Sequence, residues 1–239
     1  MHSNRYTFIY AAVISVITAV LLAFASEGLK PAQEANVALD KKTSILRSVR
    51  ITAADRKAIE QTYAERVKEL VVNSKGEELA DVSTDAVKVK DEIAKPLEQR
   101  RLPLYVYTDE SGKKNYIIPM QGVGLWGPIW GYISIAEDFN TVYGAFFDHK
   151  SETPGLGAEI AEKPFQEQFR GKKIMGENNN FVSVRVVKKT AKIDVGPEHR
   201  VDAISGGTIT STGTDKMLRV CVEPYLGYFE KVKTASGVH

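Results

Sequence analysis

Cysteine is almost absent from this chain: Cys221 stands alone among 239 residues. A single thiol cannot build an internal disulfide framework, a CxxC redox pair or a cysteine-rich metal site. Its setting, Met217-Leu218-Arg219-Val220-Cys221-Val222, reads as a small buried apolar side chain. Histidine is scarce as well, and His2, His149, His199 and His239 are dispersed with none at helical ligand spacing from another, so no metal site is expected. An excess of one charge is also missing. The 32 Lys and Arg nearly balance 30 Asp and Glu, leaving +2, which gives a nucleic-acid partner no electrostatic footprint. A βαβ series carrying a glycine turn is lacking too, which disfavours a dinucleotide-binding doubly wound sheet.

One long hydrophobic run is present. Tyr6 to Ala25 reads YTFIYAAVISVITAVLLAFA without a charge, about the length that crosses a bilayer as a helix. Arg5 precedes it while Glu27 and Lys30 follow, and the positive-inside rule favours a cytoplasmic N-terminus with an exported body. A cleaved signal peptide is the competing reading, because Ala23-Phe24-Ala25 before Ser26 fits a small-x-small site. The run exceeds the usual signal core, which favours a retained anchor. Export follows in both cases.

Residues 1–26 thus form an N-terminus and anchor, and roughly 210 residues remain, enough for a sizeable core. Residues 27–100 show a mainly helical pattern. Ile45, Val49, Ile59, Tyr63, Val67, Leu70 and Val71 recur mostly at three- and four-residue spacings among charges, which predicts amphipathic helices, with Thr52 or Asp55 as a cap. Val82 to Ile93 is polar and reads as a loop or short strand. From about residue 101 the character turns to strand. Leu104–Thr108 and Asn115–Ile118 flank Asp109-Glu110-Ser111-Gly112 as a hairpin. Further strands are expected at Tyr132–Ala136, Val142–Asp148 and Phe181–Lys188, which are rich in β-branched and aromatic residues. Helices are expected at Pro164–Arg170 and at Thr214–Val232, the latter interrupted by Pro224. The fold class is α+β: a transmembrane helix, a helical segment, then a mostly antiparallel sheet with flanking helices.

Three glycine-rich loops stand at strand ends. The first, Gln121 to Gly131, contains Leu125 and Trp126; the second is Glu152-Thr153-Pro154-Gly155-Leu156-Gly157; the third is Asp202-Ala203-Ile204-Ser205-Gly206-Gly207-Thr208-Ile209-Thr210-Ser211. Each alone is what an ordinary turn between elements looks like. Together they supply complementary halves of one ligand. Trp126, Leu125 and Leu156 suit a flat ring, Thr153 and the glycine backbones suit its polar edge, and the third loop puts glycines and hydroxyls ahead of a helix, as a phosphate requires.

HKSETPGLG, with GLWGPIWGYI before it and DAISGGTITS after it, resembles the FMN-binding domain of the C subunit of the bacterial Na+-translocating NADH:quinone reductase. The resemblance spans Leu102 to Phe229 closely, makes residues 101–239 the FMN-binding domain, and extends to the anchor and the segment after it. It implies FMN attached through its phosphate, as a phosphoester, to the last threonine of a D-x-x-S/T-G-A-T motif, here Thr208. Gly207 stands where that motif has alanine. Asp202 belongs to the motif, Ser205, Gly206 and Gly207 line the attachment, and Thr210 and Ser211 are rival hydroxyls ranked below Thr208. No base is evident beside the threonine, and an unactivated hydroxyl is a poor nucleophile. The resemblance therefore implies an external flavin transferase using FAD and Mg2+ outside the cytoplasm. It further implies a single-pass electron-carrier subunit of a bacterial inner-membrane complex, with its main domain periplasmic, partnered by the other subunits and inert toward NADH by itself. Two alternatives stay open: the G subunit of the Rnf electron-transport complex, which shares the FMN loops, and an anchored extracytoplasmic binding module without flavin.

Overall fold

A computed structural model describes residues 4–191 and 195–236; His2 and His239 lie outside them. The chain divides after Lys41 into two compact units. Helix α1, Asn4–Ser48, carries the apolar run and is the one described helix long and apolar enough to cross a membrane. It contains Pro31, which removes one ladder hydrogen bond without ending the helix. Its last turns belong to the second unit, where Ile45 and Leu46, with Val49, pack against Tyr63, Tyr105, Tyr107 and Ile117 in a small apolar cluster.

Helix α2, Arg56–Arg66, begins where Asp55 accepts a hydrogen bond from the Ala58 N–H at 2.8 Å, one of the two caps the sequence offered. It ends earlier than its apolar spacing predicts. Val67, Leu70 and Val71 are not helical; they form strand β1, Val67–Val72, antiparallel to strand β2, Leu102–Thr108. The spacing of these residues fits a helix, but the run Leu70-Val71-Val72 is wholly buried. Pairing on an open sheet edge satisfies its backbone and hides all three side chains, and this overrides a short local period. The polar stretch 82–93 likewise departs from expectation, forming a turn and then a short helix α3, Val89–Ile93.

The sheet continues through β3, Lys114–Val123, β4, Pro128–Ile135, and β5, Val142–His149, in the order β1-β2-β3-β4-β5, antiparallel throughout. The Asp109 turn joins β2 to β3, its carboxylate accepting from the Ser111 and Lys113 N–H groups. After β5 comes α4, Lys163–Gln166, prolonged as a tighter turn to Phe169; Phe165 meets Phe147 of β5 edge-on and Phe169 meets it tilted, at 5.8 and 4.9 Å between ring centroids. The expected strand Phe181–Lys188 shrinks to β6, Arg185–Val187, paired in parallel with β7, Arg200–Asp202. Helix α5, Thr208–Val222, starts six residues before its expected position and gives way at Pro224 to α6, Leu226–Ser236. The α5 helix lies on β3 so closely that a Cβ on Gly213 would strike the Val123 carbonyl. That contact sets the start of α5 beside the β3–β4 hairpin.

Candidate cofactor-binding site

The first glycine loop is the tip of the β3–β4 hairpin. Gly122-Val123-Gly124-Leu125-Trp126-Gly127 has the spacing of a nucleotide-binding glycine turn, yet it opens a strand rather than a helix: Val123 faces Pro128 across the hairpin and the Gly124 N–H donates to the Gly127 carbonyl at 2.8 Å. Leu125 and Trp126 project from this tip, 49% and 65% exposed. A tryptophan that serves the core would be covered, and Trp126 is not.

The second loop leaves β5 and turns at Gly155, whose φ of +74° suits glycine. The Thr153 carbonyl accepts from the Leu156 and Ala158 N–H groups at 3.1 Å, which raises Leu156 on a tight loop, 42% exposed. Glu152, at the base of this loop, is 5% exposed. Its Oε1 accepts from the Trp126 N–H at 2.8 Å, and its Oε2 accepts from the Thr210 hydroxyl at 2.6 Å. One carboxylate therefore ties the hairpin tip, its own loop and helix α5 together. Two glycines leave room for it. A Cβ on Gly124 would stand 2.5 Å from Oε1, and one on Gly157 would strike Oε2 and the Thr210 hydroxyl. The Glu152 N–H in turn donates to His149 Nδ1 at 3.1 Å, which leaves the His149 ring proton on Nε2.

The third loop runs from β7 to α5. Gly206 has φ +76° and a Cβ there would press on Leu156 at 2.5 Å, so the second and third loops touch. Gly207 is the N-terminal cap of α5 and no side chain caps the helix. The N–H groups of the first turn therefore face outward with the positive end of the helix dipole. An alanine methyl at Gly207 would sit 3.0 Å from Ile204 Cγ2, so the glycine relieves a tight contact and leaves the cap intact.

The four hydroxyls of this loop separate sharply. Thr210 and Ser211 are 1% and 2% exposed; Thr210 donates to Glu152, and Ser211 accepts from the Ile204 N–H at 3.0 Å. Ser205 is exposed in the loop, and Thr208 is exposed at the first position of the helix. Asp202 stands apart from this group. Its carboxylate pairs with Lys189 at 3.2 Å and its N–H donates to Gln168, so it lines a neighbouring polar pocket. Two residues of the site were not evident in sequence: Ile209, 57% exposed beside Thr208, and Val123, 72% exposed beside the hairpin tip. An isoleucine between two threonines at a helix start is the signal that could have found the first.

The FMN-binding domain family matches residues 124–223, a span that holds the second and third loops and the first from Gly124 onward. The C subunit of the Na(+)-translocating NADH-quinone reductase of Neisseria meningitidis serogroup B is 33% identical over 97% of this chain and 95% of the relative. The chain belongs to the family of that reductase component. Its counterpart in Haemophilus ducreyi is 30% identical over 98% of this chain and 96% of its own length. The crystal structure of the Parabacteroides distasonis counterpart superposes with TM-score 0.75 and 39% identity, covering 84% of this chain and 96% of that one. The relative shares the fold of the α+β body with its antiparallel sheet. The site residues of this chain fit an FMN: free N–H groups at the start of α5 for the phosphate, and Leu125, Trp126, Leu156 and Ile209 for the ring.

Proposed function

We propose that FMN is joined as a phosphoester to the Thr208 hydroxyl and that the chain relays electrons inside a membrane-bound Na+-translocating NADH:quinone reductase. The observation that carries this is the sorting of hydroxyls at the start of α5: Thr208 is exposed at the first helical position, while Thr210 and Ser211 are buried and bonded. A phosphate at that position meets unpaired N–H groups and the positive dipole end, worth about 0.3–1 kcal/mol at an exposed site. The ester keeps the flavin from being lost while its ring stays accessible at the exposed loop tips. The flavin supplies the redox chemistry; Thr208 anchors it, the first turn of α5 neutralises its phosphate, and the apolar tips cover its ring. Glu152 holds those tips in register.

Attachment needs an activated hydroxyl. Glu152, the carboxylate at the first turn of α5, is already engaged by Thr210 and Trp126, so activation falls to an external flavin transferase that uses FAD and Mg2+: the transferase takes the hydroxyl proton, the Thr208 oxygen bonds to the FMN phosphorus as the pyrophosphate of FAD breaks, and AMP leaves. The charge order around the apolar run, Arg5 before and Glu27 and Lys30 after, supports a cytoplasmic N-terminus, and the length of the run supports a retained single span; in a bacterial inner membrane this leaves residues 27–239 periplasmic, as segments 27–100 and 101–239. The remaining subunits of the complex are its partners, and the chain alone does not oxidise NADH.

The test is direct. The full chain is co-expressed with a flavin transferase, denatured and run on a gel. A fluorescent band is expected, and Thr208→Ala should abolish it with no change in the folding transition. A dark wild-type band, with the transferase active on another substrate, sinks the covalent reading; fluorescence persisting in Thr208→Ala moves the attachment elsewhere.

A further inference from the structure

Asp202 opens the segment that carries Thr208, but its side chain lies in a pocket of its own. This pocket, about 360 Å³, is lined by Gln168, Lys172, Lys188, Lys189 and Arg200 together with Asp202. Among the described residues, four cationic side chains and one carboxylate thus line it. The chain as a whole is nearly neutral, with 32 basic against 30 acidic residues, so this is a local concentration of positive charge. The pocket is also firmly attached to the Thr208 segment. Asp202 ends β7, its N–H is held by Gln168 Oε1 at 2.8 Å, the Lys172 ammonium donates to the Pro197 carbonyl at 2.9 Å, and Lys189 pairs with Asp202 at 3.2 Å. Five residues of loop then lead from Asp202 to Thr208 at the start of α5.

We infer that this basic pocket is the docking surface for an acidic face of the enzyme that loads the flavin. The inference rests on the covalent reading above, which requires an outside enzyme to reach Thr208. Such an enzyme must recognise this threonine among many exposed hydroxyls. A polar-walled pocket with a fourfold cationic rim, joined to Thr208 by one short loop, offers both charge and register for that recognition. Asp202 then serves from within: its ion pair with Lys189 fixes part of the rim. Opposite charge across such a surface chiefly raises the rate of productive encounter and makes it sensitive to salt.

The experiment follows flavin loading over time on the full, detergent-solubilised chain with purified transferase, FAD and Mg2+, reading in-gel fluorescence. With the chain below saturation, Lys188→Glu/Lys189→Glu should load about tenfold more slowly than wild type, the low end of electrostatic steering. Raising its concentration should restore the rate, since docking rather than chemistry is impaired. Lys188→Gln/Lys189→Gln should fall between the two. Without any substitution, added salt should slow wild-type loading and have less effect on the charge-reversed chain. Equal loading rates and equal salt sensitivity in wild type and variants overturn the docking surface while leaving the covalent reading intact. A wild-type chain that never becomes fluorescent overturns both.

Discussion

Glu92 and Glu152 are both buried carboxylates, 3% and 5% exposed, but they are kept in different company. Glu92, at α3, accepts from the Arg101 backbone N–H at 2.9 Å, from the Arg101 guanidinium at 2.9 Å and from the Lys95 ammonium at 2.8 Å. Asp215 repeats that pattern on α5 with Arg185 and Arg219. Glu152 instead holds two neutral donors, the Trp126 N–H and the Thr210 hydroxyl, inside the first turn of α5. The cation-paired acids fasten secondary structure at its margins, where their partners remain partly hydrated. Glu152 is placed where loops converge, and the dipole of α5 supplies the positive environment that no side chain provides. An acid used to organise a site is therefore distinguishable from an acid used to clamp a fold by what it binds and by what would be stranded without it.

Removing each acid tests that difference. Glu152→Ala should have the largest effect, because the buried Thr210 hydroxyl and the Trp126 N–H lose their acceptor together; a loss of about 3 kcal/mol is expected in chemical denaturation. Glu152→Gln, which retains an acceptor oxygen, should lose less. Equal losses for the two would show that the hydrogen bonds are not what matters.

Gly157→Ala comes next. Its methyl would invade the space of the Glu152 carboxylate and the Thr210 hydroxyl, and overpacking of this kind costs about 2 kcal/mol. Gly171→Ala serves as the contrast in a folding titration, since nothing lies near its added methyl; its cost comes only from a positive φ of 75°.

Glu92→Ala should cost about 1 kcal/mol, less than Glu152→Ala, since Lys95 and Arg101 can turn to water. The pH dependence separates the two further. Burial alone would raise the Glu92 pKa, but hydrogen bonds from the Arg101 backbone, Lys95 and the Arg101 side chain outweigh it and hold the carboxyl below its ordinary 4.5. A depressed pKa stabilises the fold above the unfolded value and loses that contribution as pH falls through the folded one. The stability gap between wild type and Glu92→Gln should therefore stay level at neutral pH and close below 4.5. A gap that widens on acidification contradicts the assignment.

The smallest effect is expected at the hairpin tip. Trp126→Ala removes a 65% exposed ring, so thermal stability should change by no more than about 0.5 kcal/mol, while the absorption and fluorescence of the attached flavin shift. A large loss of stability without a spectral change would return Trp126 to the role of a structural residue.

Much of this architecture is legible in the chain. Alternating β-branched and aromatic runs mark β2, β3, β4 and β5, and the Asp109-Glu110-Ser111-Gly112 turn marks their first hairpin. Strand β1 is hidden because Val67, Leu70 and Val71 fall at helical spacing while Leu70-Val71-Val72 is also a short apolar run that suits a buried strand, and only the edge of β2 decides between them. The start of α5 is hidden for a related reason: Thr208, Thr210, Ser211 and Thr212 are poor helix formers, and the helix holds there because Glu152 and Ile204 engage its first turns.

Local composition and spacing suffice for a long uncharged run able to cross a membrane, an antiparallel sheet, three glycine loops and a threonine following two glycines, because each depends on near neighbours in the chain. Folding had to settle which hydroxyls stay exposed, that Asp202 turns into a basic pocket, and that one glutamate joins the three loops. The bond between Thr210 and Glu152 spans 58 positions in the chain, and whether a hydroxyl is buried or offered to a phosphate depends on what folding brings to meet it.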